Sequence, residues 1–203
     1  NDRLAAFGKD CDGATGTCLL SSNEVGEGLS SAKFKGEMAI SSLPEKCVFV
    51  HPSSVQFDDE GNAVFSYSGQ TGTVQHLLWG SADYNPAGMD CNLSFVGSVL
   101  RLSLPEGVNK VDVMGNSGEA VENVSIAPDG TLSVSGASSF TVNVNGSCNI
   151  LMPPVNFTKG FTLVLHKDGE LMYKSYSSDG GTSSGYDFLT NRGRIIDVSI
   201  NSF

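Results

Sequence analysis

The stretch 93–114, LSFVGSVLRLSLPEGVNKVDVM, decides the fold. Leu93, Phe95, Val99, Leu100, Leu102 and Leu104 lead to Pro105, and Val108 to Met114 follow the turn Pro105-Glu106-Gly107. Short runs of large apolar and β-branched residues, stopped by Pro and Gly, are strand signals. The spacing predicts a long strand, a hairpin and its partner. The same rhythm continues upstream in Phe34 to Ser41, Lys46 to Val50 and Asn62 to Tyr67, with Asp58-Asp59-Glu60-Gly61 as a hairpin turn. Downstream it continues through Val121 to Ile126, Thr131 to Ser135, Phe140 to Val144, Cys148 to Met152, Phe161 to His166, Glu170 to Tyr176 and Arg194 to Ile200. Turn signals return about every 8 to 12 residues, the spacing of β-sandwiches and not of βαβ units. Gln70 to Tyr84 is less regular, and His76 to Trp79 has room for one helical turn.

The sequence therefore predicts an all-β protein of two small sandwiches in tandem, residues 33–88 and 89–203. The boundary is expected near Tyr84 to Asp90, where Asn85-Pro86-Ala87-Gly88 interrupts the pattern. Residues 1–32, rich in Gly, Ser and acids, keep neither a 3.6 nor a 2.0 period and are expected to form an amino-terminal arm.

Charge and composition exclude several functions. The 203 residues carry 12 Lys+Arg against 22 Asp+Glu, a formal charge of -10. Such a surface repels phosphate, so neither nucleic acid nor anionic lipid is an expected partner. No apolar run approaches the roughly 20 residues of a membrane-spanning helix. Cysteines 11, 18, 47, 91 and 148 show no CxxC spacing, so a structural zinc is not expected. Cys11 with Cys18 and Cys91 with Cys148 are possible pairs, with one thiol left over, and the spacing leaves the pairing open. The Gly, Ser and Asn richness is that of an exported β-protein, and because the chain begins at Asn1, any export signal is expected to be already removed or outside this sequence.

The chemistry-bearing motifs are weak. Gly181-Thr182-Ser183-Ser184-Gly185 matches the nucleophile-elbow pattern, but no helix follows and the surroundings are small and polar. A surface loop is the better reading, and a hydrolase using Ser183 is the least favoured function. His51, His76 and His166 sit in separate segments with no nucleophile at a telling spacing. Asp10-Cys11-Asp12-Gly13 begins like a calcium loop, but Ala14 and Gly16 stand where ligands belong, so an ordinary turn is expected. Asp58, Asp59 and Glu60 read as solvated charge at a hairpin tip. The sequons at Asn92, Asn123, Asn145 and Asn156 are assigned no role. No catalytic residue, metal or cofactor is expected.

The order of segments resembles a known family. His51-Pro52-Ser53 after an apolar strand, the acidic tip at 58–60 and Gly69-Gln70-Thr71-Gly72 before Leu77-Leu78 resemble the amino-terminal half of the fimbrillin-like proteins, the pilins and related surface lipoproteins of Bacteroidetes. In the second half, Phe95 to Pro105, the Met114-Gly115-Asn116-Ser117-Gly118-Glu119 turn, Met152-Pro153-Pro154 before Gly160-Phe161, Asp168-Gly169-Glu170 and Arg192-Gly193-Arg194-Ile195 are similar as well. The resemblance covers about Phe34 to Ile200 and lies in pattern and order, without a catalytic motif.

The resemblance implies two transthyretin-like sandwiches, export through a lipoprotein signal with a possible lipid anchor, and an adhesive role at the outer membrane or in a fimbrium. The implied partners are other fimbrial subunits or host and bacterial surface ligands. It also implies assembly by strand exchange after trypsin-like cleavage, for which Arg3, Lys9, Lys33 and Lys35 are candidate positions. The candidate exchange strand is Arg194, Ile195, Ile196, Asp197, Val198, Ser199 and Ile200, which also reads as an ordinary last strand. The chain lacks a visible lipidated amino-terminal Cys and ends soon after that strand, which leaves room for an anchor, tip or accessory subunit. The alternative function is a glycan-binding surface lipoprotein of a polysaccharide-uptake system, with Trp79, Tyr84, Tyr173, Tyr176 and Tyr186 as the only stacking candidates.

Overall fold

A computed structural model describes residues 3–10, 15–24, 31–40, 42–73, 76–144, 148–177, 186–189 and 191–200. These residues form β-strands and no helix. The strands are β1 (Arg3–Asp10), β2 (Thr15–Ser21), β3 (Pro44–His51), β4 (Gln56–Phe57), β5 (Ala63–Ser66), β6 (Leu78–Asp83), β7 (Ser94–Phe95) and β8 (Ser98–Ser103). They continue as β9 (Val108–Gly115), β10 (Asn123–Ile126), β11 (Leu132–Ser135), β12 (Ser139–Asn143), β13 (Cys148–Met152), β14 (Gly160–Lys167), β15 (Glu170–Ser177) and β16 (Ile195–Ser199). Four sheets result, ordered β2-β1-β3-β6-β7, β11-β10-β5-β4, β12-β9-β14-β15 and β13-β8-β16, in a sandwich-like all-β arrangement.

The chain divides into two compact units, but not at one point near Tyr84 to Asp90. One unit takes residues 1–65, 76–94 and 125–132, and the other takes 66–75, 95–124 and 133–203. In the first unit the expected arm is structured: β1 is an inner strand with β2 on one side and β3 on the other. Leu4, Ala5, Ala6 and Phe7 are all buried. A strand covered on both faces shows an unbroken apolar run instead of an alternation, so the test for period 2 misses it. Phe7 stacks on Phe57 with ring centroids 5.3 Å apart. The segment His76 to Trp79 leads into the extended strand β6 and makes no helical turn, and among the described residues of Phe34 to Ser41, which are 34–40, Lys35 alone is paired, in a bridge to Ser21.

In the second unit the 93–114 stretch folds differently from the expected hairpin. β8 pairs with β13 and β16, whereas β9 pairs with β12 and β14. The chain thus crosses from one sheet to another over Leu104 to Gly107. Leu100, Leu102, Val111 and Val113 are all at most 1% exposed, and fully burying each such side chain is worth about 1.5–3 kcal/mol. Phe161 is the centre of an aromatic group, with centroids 5.6 Å from Phe157, 5.0 Å from Tyr176, 5.5 Å from Tyr186 and 5.9 Å from Phe188.

Candidate interaction site

Sheet edges carry rows of unpaired N–H and C=O groups, so an all-β protein must cover them or leave them to a partner. In the second unit, one end of each sheet is closed by residues 69–72. Gly69 N–H donates to Thr141 C=O at 3.3 Å, and Asn143 N–H donates to Gln70 C=O at 2.9 Å, which covers β12. Asn149 N–H donates to Gly72 C=O at 3.0 Å, which covers β13. The Gln70 amide completes the seal: its Oε1 accepts from Leu151 N–H at 2.7 Å, and its Nε2 donates to Leu151 C=O and Tyr67 C=O at 2.9 Å each. The amide thereby gives β13 the donor and acceptor that a neighbouring strand would give.

The far ends of the same two sheets are β15 and β16, and among the described residues no strand pairs with their outer sides. β16 contains most of the candidate exchange strand. It pairs in parallel with β8, from Ile195↔Val99 to Ser199↔Ser103. Val99 N–H donates to Arg194 C=O at 2.8 Å, and Ile200 N–H donates to Ser103 C=O at 3.2 Å. In a parallel ladder this phase turns the N–H groups of Ile196, Val198 and Ile200 toward β8 and those of Ile195, Asp197 and Ser199 outward. Ile200 is buried, Ile196 and Val198 are half-buried, and Ile195 is 52% exposed. Asp197 meets Arg101 across the pair at 3.2 Å, on an exposed surface where such a bridge contributes about 0–1 kcal/mol.

The outer face of β12-β9-β14-β15 holds a polar group that the sequence does not announce. Asp112 on β9 accepts from Thr141 Oγ1 at 2.6 Å and from His166 Nε2 at 2.7 Å, and Lys110 Nζ lies 3.7 Å away. Desolvation alone would raise the Asp112 carboxyl, but the hydrogen bonds from Thr141 and His166 and the Lys110 charge outweigh it and hold the group below the usual carboxylate range. Register brings these residues together from three strands, so no spacing along the chain could have shown it. On the same face Met114, Leu171 and Tyr173 are exposed.

The remaining candidate residues are dispersed. His51 Nδ1 donates to Arg3 C=O at 3.2 Å. Arg3 pairs with Ser21, and Lys9 pairs on both sides, with Thr15 and Lys46. Lys35 exchanges two 2.9 Å backbone bonds with Ser21, while Lys33 N–H donates to the Glu24 carboxylate at 3.0 Å. Of the four cleavage candidates, Lys33 alone lies outside a strand or bridge. Asp58 is occupied locally, accepting from Asn62 N–H at 2.7 Å and Asn62 Nδ2 at 2.8 Å. The 181–185 motif, Asp10-Cys11-Asp12-Gly13 beyond the Asp10 backbone, and Asn145 lie outside the described residues.

Of the stacking candidates, Tyr173 is 61% exposed. Tyr176 and Tyr186 come together, but around Phe161, and Tyr84 packs beside the Ala6, Cys47 and Phe49 cluster. The Trp79 ring N–H is buried. No flat aromatic platform forms from these five among the described residues. Cys18, Cys47, Cys91 and Cys148 are free thiols, so neither suggested disulfide is made. Burial pushes Cys18, Cys47 and Cys91 up and Cys148 up to about 11, which keeps them protonated and poorly nucleophilic at neutral pH. Two surface depressions, of about 510 and 390 Å³, lie in the first unit, the former beside Lys46, Asp83 and Asp90 and the latter beside Phe7, Glu60 and Pro128; neither is lined by a histidine or cysteine.

No family model and no curated protein matches the sequence. Among solved structures the chain is similar to a protein of Bacteroides ovatus described as a "putative cell adhesion protein", with 12% identity and a TM-score of 0.44 over 86% of this chain and 76% of that one.

Proposed function

We propose that this chain is a non-enzymatic, exported cell-surface protein of a Gram-negative bacterium that works in adhesion. In this reading it is a fimbrillin-like pilus subunit or accessory component, built from two transthyretin-like sandwiches and held to the outer membrane directly or through a lipid anchor. The observation that carries the reading is β16: the candidate exchange strand is a five-residue parallel edge strand that, among the described residues, is held from one side only. A strand held in this way is exchanged at little cost, because the backbone bonds it loses are regained on a partner. Lys33 fits the processing step. Cleavage there would separate β1 and β2 from the rest of the chain and free the side of β3 that β1 occupies.

The test is fractionation and negative-stain microscopy of the parent bacterium, with wild type beside a chain truncated before Arg194. Wild type is expected in the surface fraction, with the truncation impaired in fibre incorporation and adherence. Confinement to the cytoplasm, or unchanged assembly and adherence without β16, would overturn the proposal.

A further inference from the structure

Strand β15 is a second sheet edge, distinct from β16, and its sequence is complementary to itself when run antiparallel. It runs eight residues against β14 in unbroken register, Gly160↔Ser177 to Lys167↔Glu170, with no bulge and no proline. The other long edge, β2, is bridged at Ser21 by Lys35, and the ends of β12 and β13 are sealed by residues 69–72. Nothing comparable lies along β15 among the described residues.

The phase of its backbone follows from one bond. Asn116 N–H donates to Gly160 C=O at 3.0 Å on the β9 side. In β14 the even-numbered residues therefore face β9, and Phe161, Leu163 and Leu165 face β15. Their partners Tyr176, Lys174 and Met172 spend their backbone groups on β14. The N–H and C=O groups of Leu171, Tyr173 and Ser175 point out of the sheet. Leu171 and Tyr173 are also 51% and 61% exposed at their side chains.

We propose that β15 pairs antiparallel with β15 of a second copy, Met172 facing Met172 at the two-fold axis, to give a closed dimer with one continuous eight-stranded sheet. Only this register places Glu170 of each copy opposite Lys174 of the other. It also sets Leu171 against Tyr173 twice, and both are residues with outward backbone groups, so each such pair exchanges two hydrogen bonds. Glu170 and Lys174 have no ion-pair partner among the described residues. Lys174 lies on the face that bears Leu163, which is fully buried. A charge turned inward at an edge discourages foreign strands, but here the second copy supplies its counterion. The association is isologous and stops at two. It uses a different edge from β16 and stands whether or not β16 is exchanged.

Sedimentation equilibrium of the full chain is expected to show a monomer–dimer equilibrium of about micromolar strength, as befits a small edge-to-edge interface. Glu170→Lys and Lys174→Glu each bring like charges together twice and are expected to weaken it about tenfold. The double swap restores the complement and is expected to restore the dimer, with melting curves confirming that each variant folds. In the wild type, amide protection at Leu171 and Tyr173 is expected to rise with protein concentration. A monomer at every concentration up to about 0.5 mM, single variants that dimerise as well as wild type, or a folded double swap that stays monomeric would overturn the proposal. So would concentration-independent exchange at Leu171 and Tyr173, a readout that needs no variant.

Discussion

Replacing Gln70 by alanine removes three hydrogen bonds at once and shows whether the seal between residues 69–72 and β13 holds the second unit together. The groups stranded are Leu151 N–H, Leu151 C=O and Tyr67 C=O, in residues 7% and 0% exposed. An unsatisfied buried polar group costs about 1–3 kcal/mol. Partial access of water to the half-buried Gln70 site brings the expected loss to about 2–4 kcal/mol. Gln70→Glu sharpens the test. Its carboxylate still accepts from Leu151 N–H, but it faces two carbonyl oxygens where the amide donated, so the protonated form is favoured in the fold. The folded-state pKa is then raised, and this contribution to stability is present below the unfolded value of about 4.3 and lost as pH rises through the folded value. Urea denaturation at pH 4 and pH 7 measures both effects. Alanine is expected to destabilise at both pH values, and Glu far more at pH 7 than at pH 4. A loss under about 0.5 kcal/mol for alanine, or a Glu variant indifferent to pH, would refute the reasoning.

Further outcomes follow from the packing and the charges. Phe161→Ala empties the centre of the aromatic group and is expected to cost about 3–5 kcal/mol in chemical denaturation. Gly61 holds φ +85°, and a Cβ there would run into the Phe7 ring, so Gly61→Ala is expected to lower the thermal midpoint and to disturb the Phe7–Phe57 stack in near-ultraviolet circular dichroism. The lowered carboxyl of Asp112 contributes stability that is fully present above the unfolded value of about 3.9 and is lost as pH falls through its lower folded value. Asp112→Asn is therefore expected to flatten the acid limb of a plot of urea midpoint against pH, with little effect of its ionisation left between pH 2 and pH 5.

The all-β class was legible because it rests on local signals. The tip Asp58 to Gly61 closes β4 onto β5 as the turn chemistry required, with Gly61 N–H donating to Asp58 C=O at 3.0 Å. The Lys167-Asp168-Gly169 turn closes β14 onto β15 through positive φ at both central residues. What was not legible depends on which strands become neighbours. The turn Pro105 to Gly107 resembles a hairpin and instead carries the chain between sheets, since a turn fixes a reversal and not a pairing. β1 was hidden because Leu4 to Phe7 are buried on both faces. The Asp112, Thr141 and His166 group draws on residues 54 positions apart at its widest, and the role of Gln70 draws on a contact 81 positions away. Arg194 to Ile200 was legible as a strand, and the structure forms β16 there, but its parallel pairing at a sheet edge was not legible, because period 2 is the same for parallel and antiparallel strands.

Among the described residues the second unit is sealed at one end by residues 69–72 and leaves β15 and β16 paired on one side. Residue-resolved amide hydrogen exchange on dilute protein tests this central claim most directly. Fast exchange is expected at Ile195, Asp197, Leu171 and Tyr173, whose N–H groups point outward, with strong protection at Leu163, Leu165 and Leu151. Protection at those four outward amides equal to that of β14 would show that both edges are already covered within the monomer and would contradict the claim.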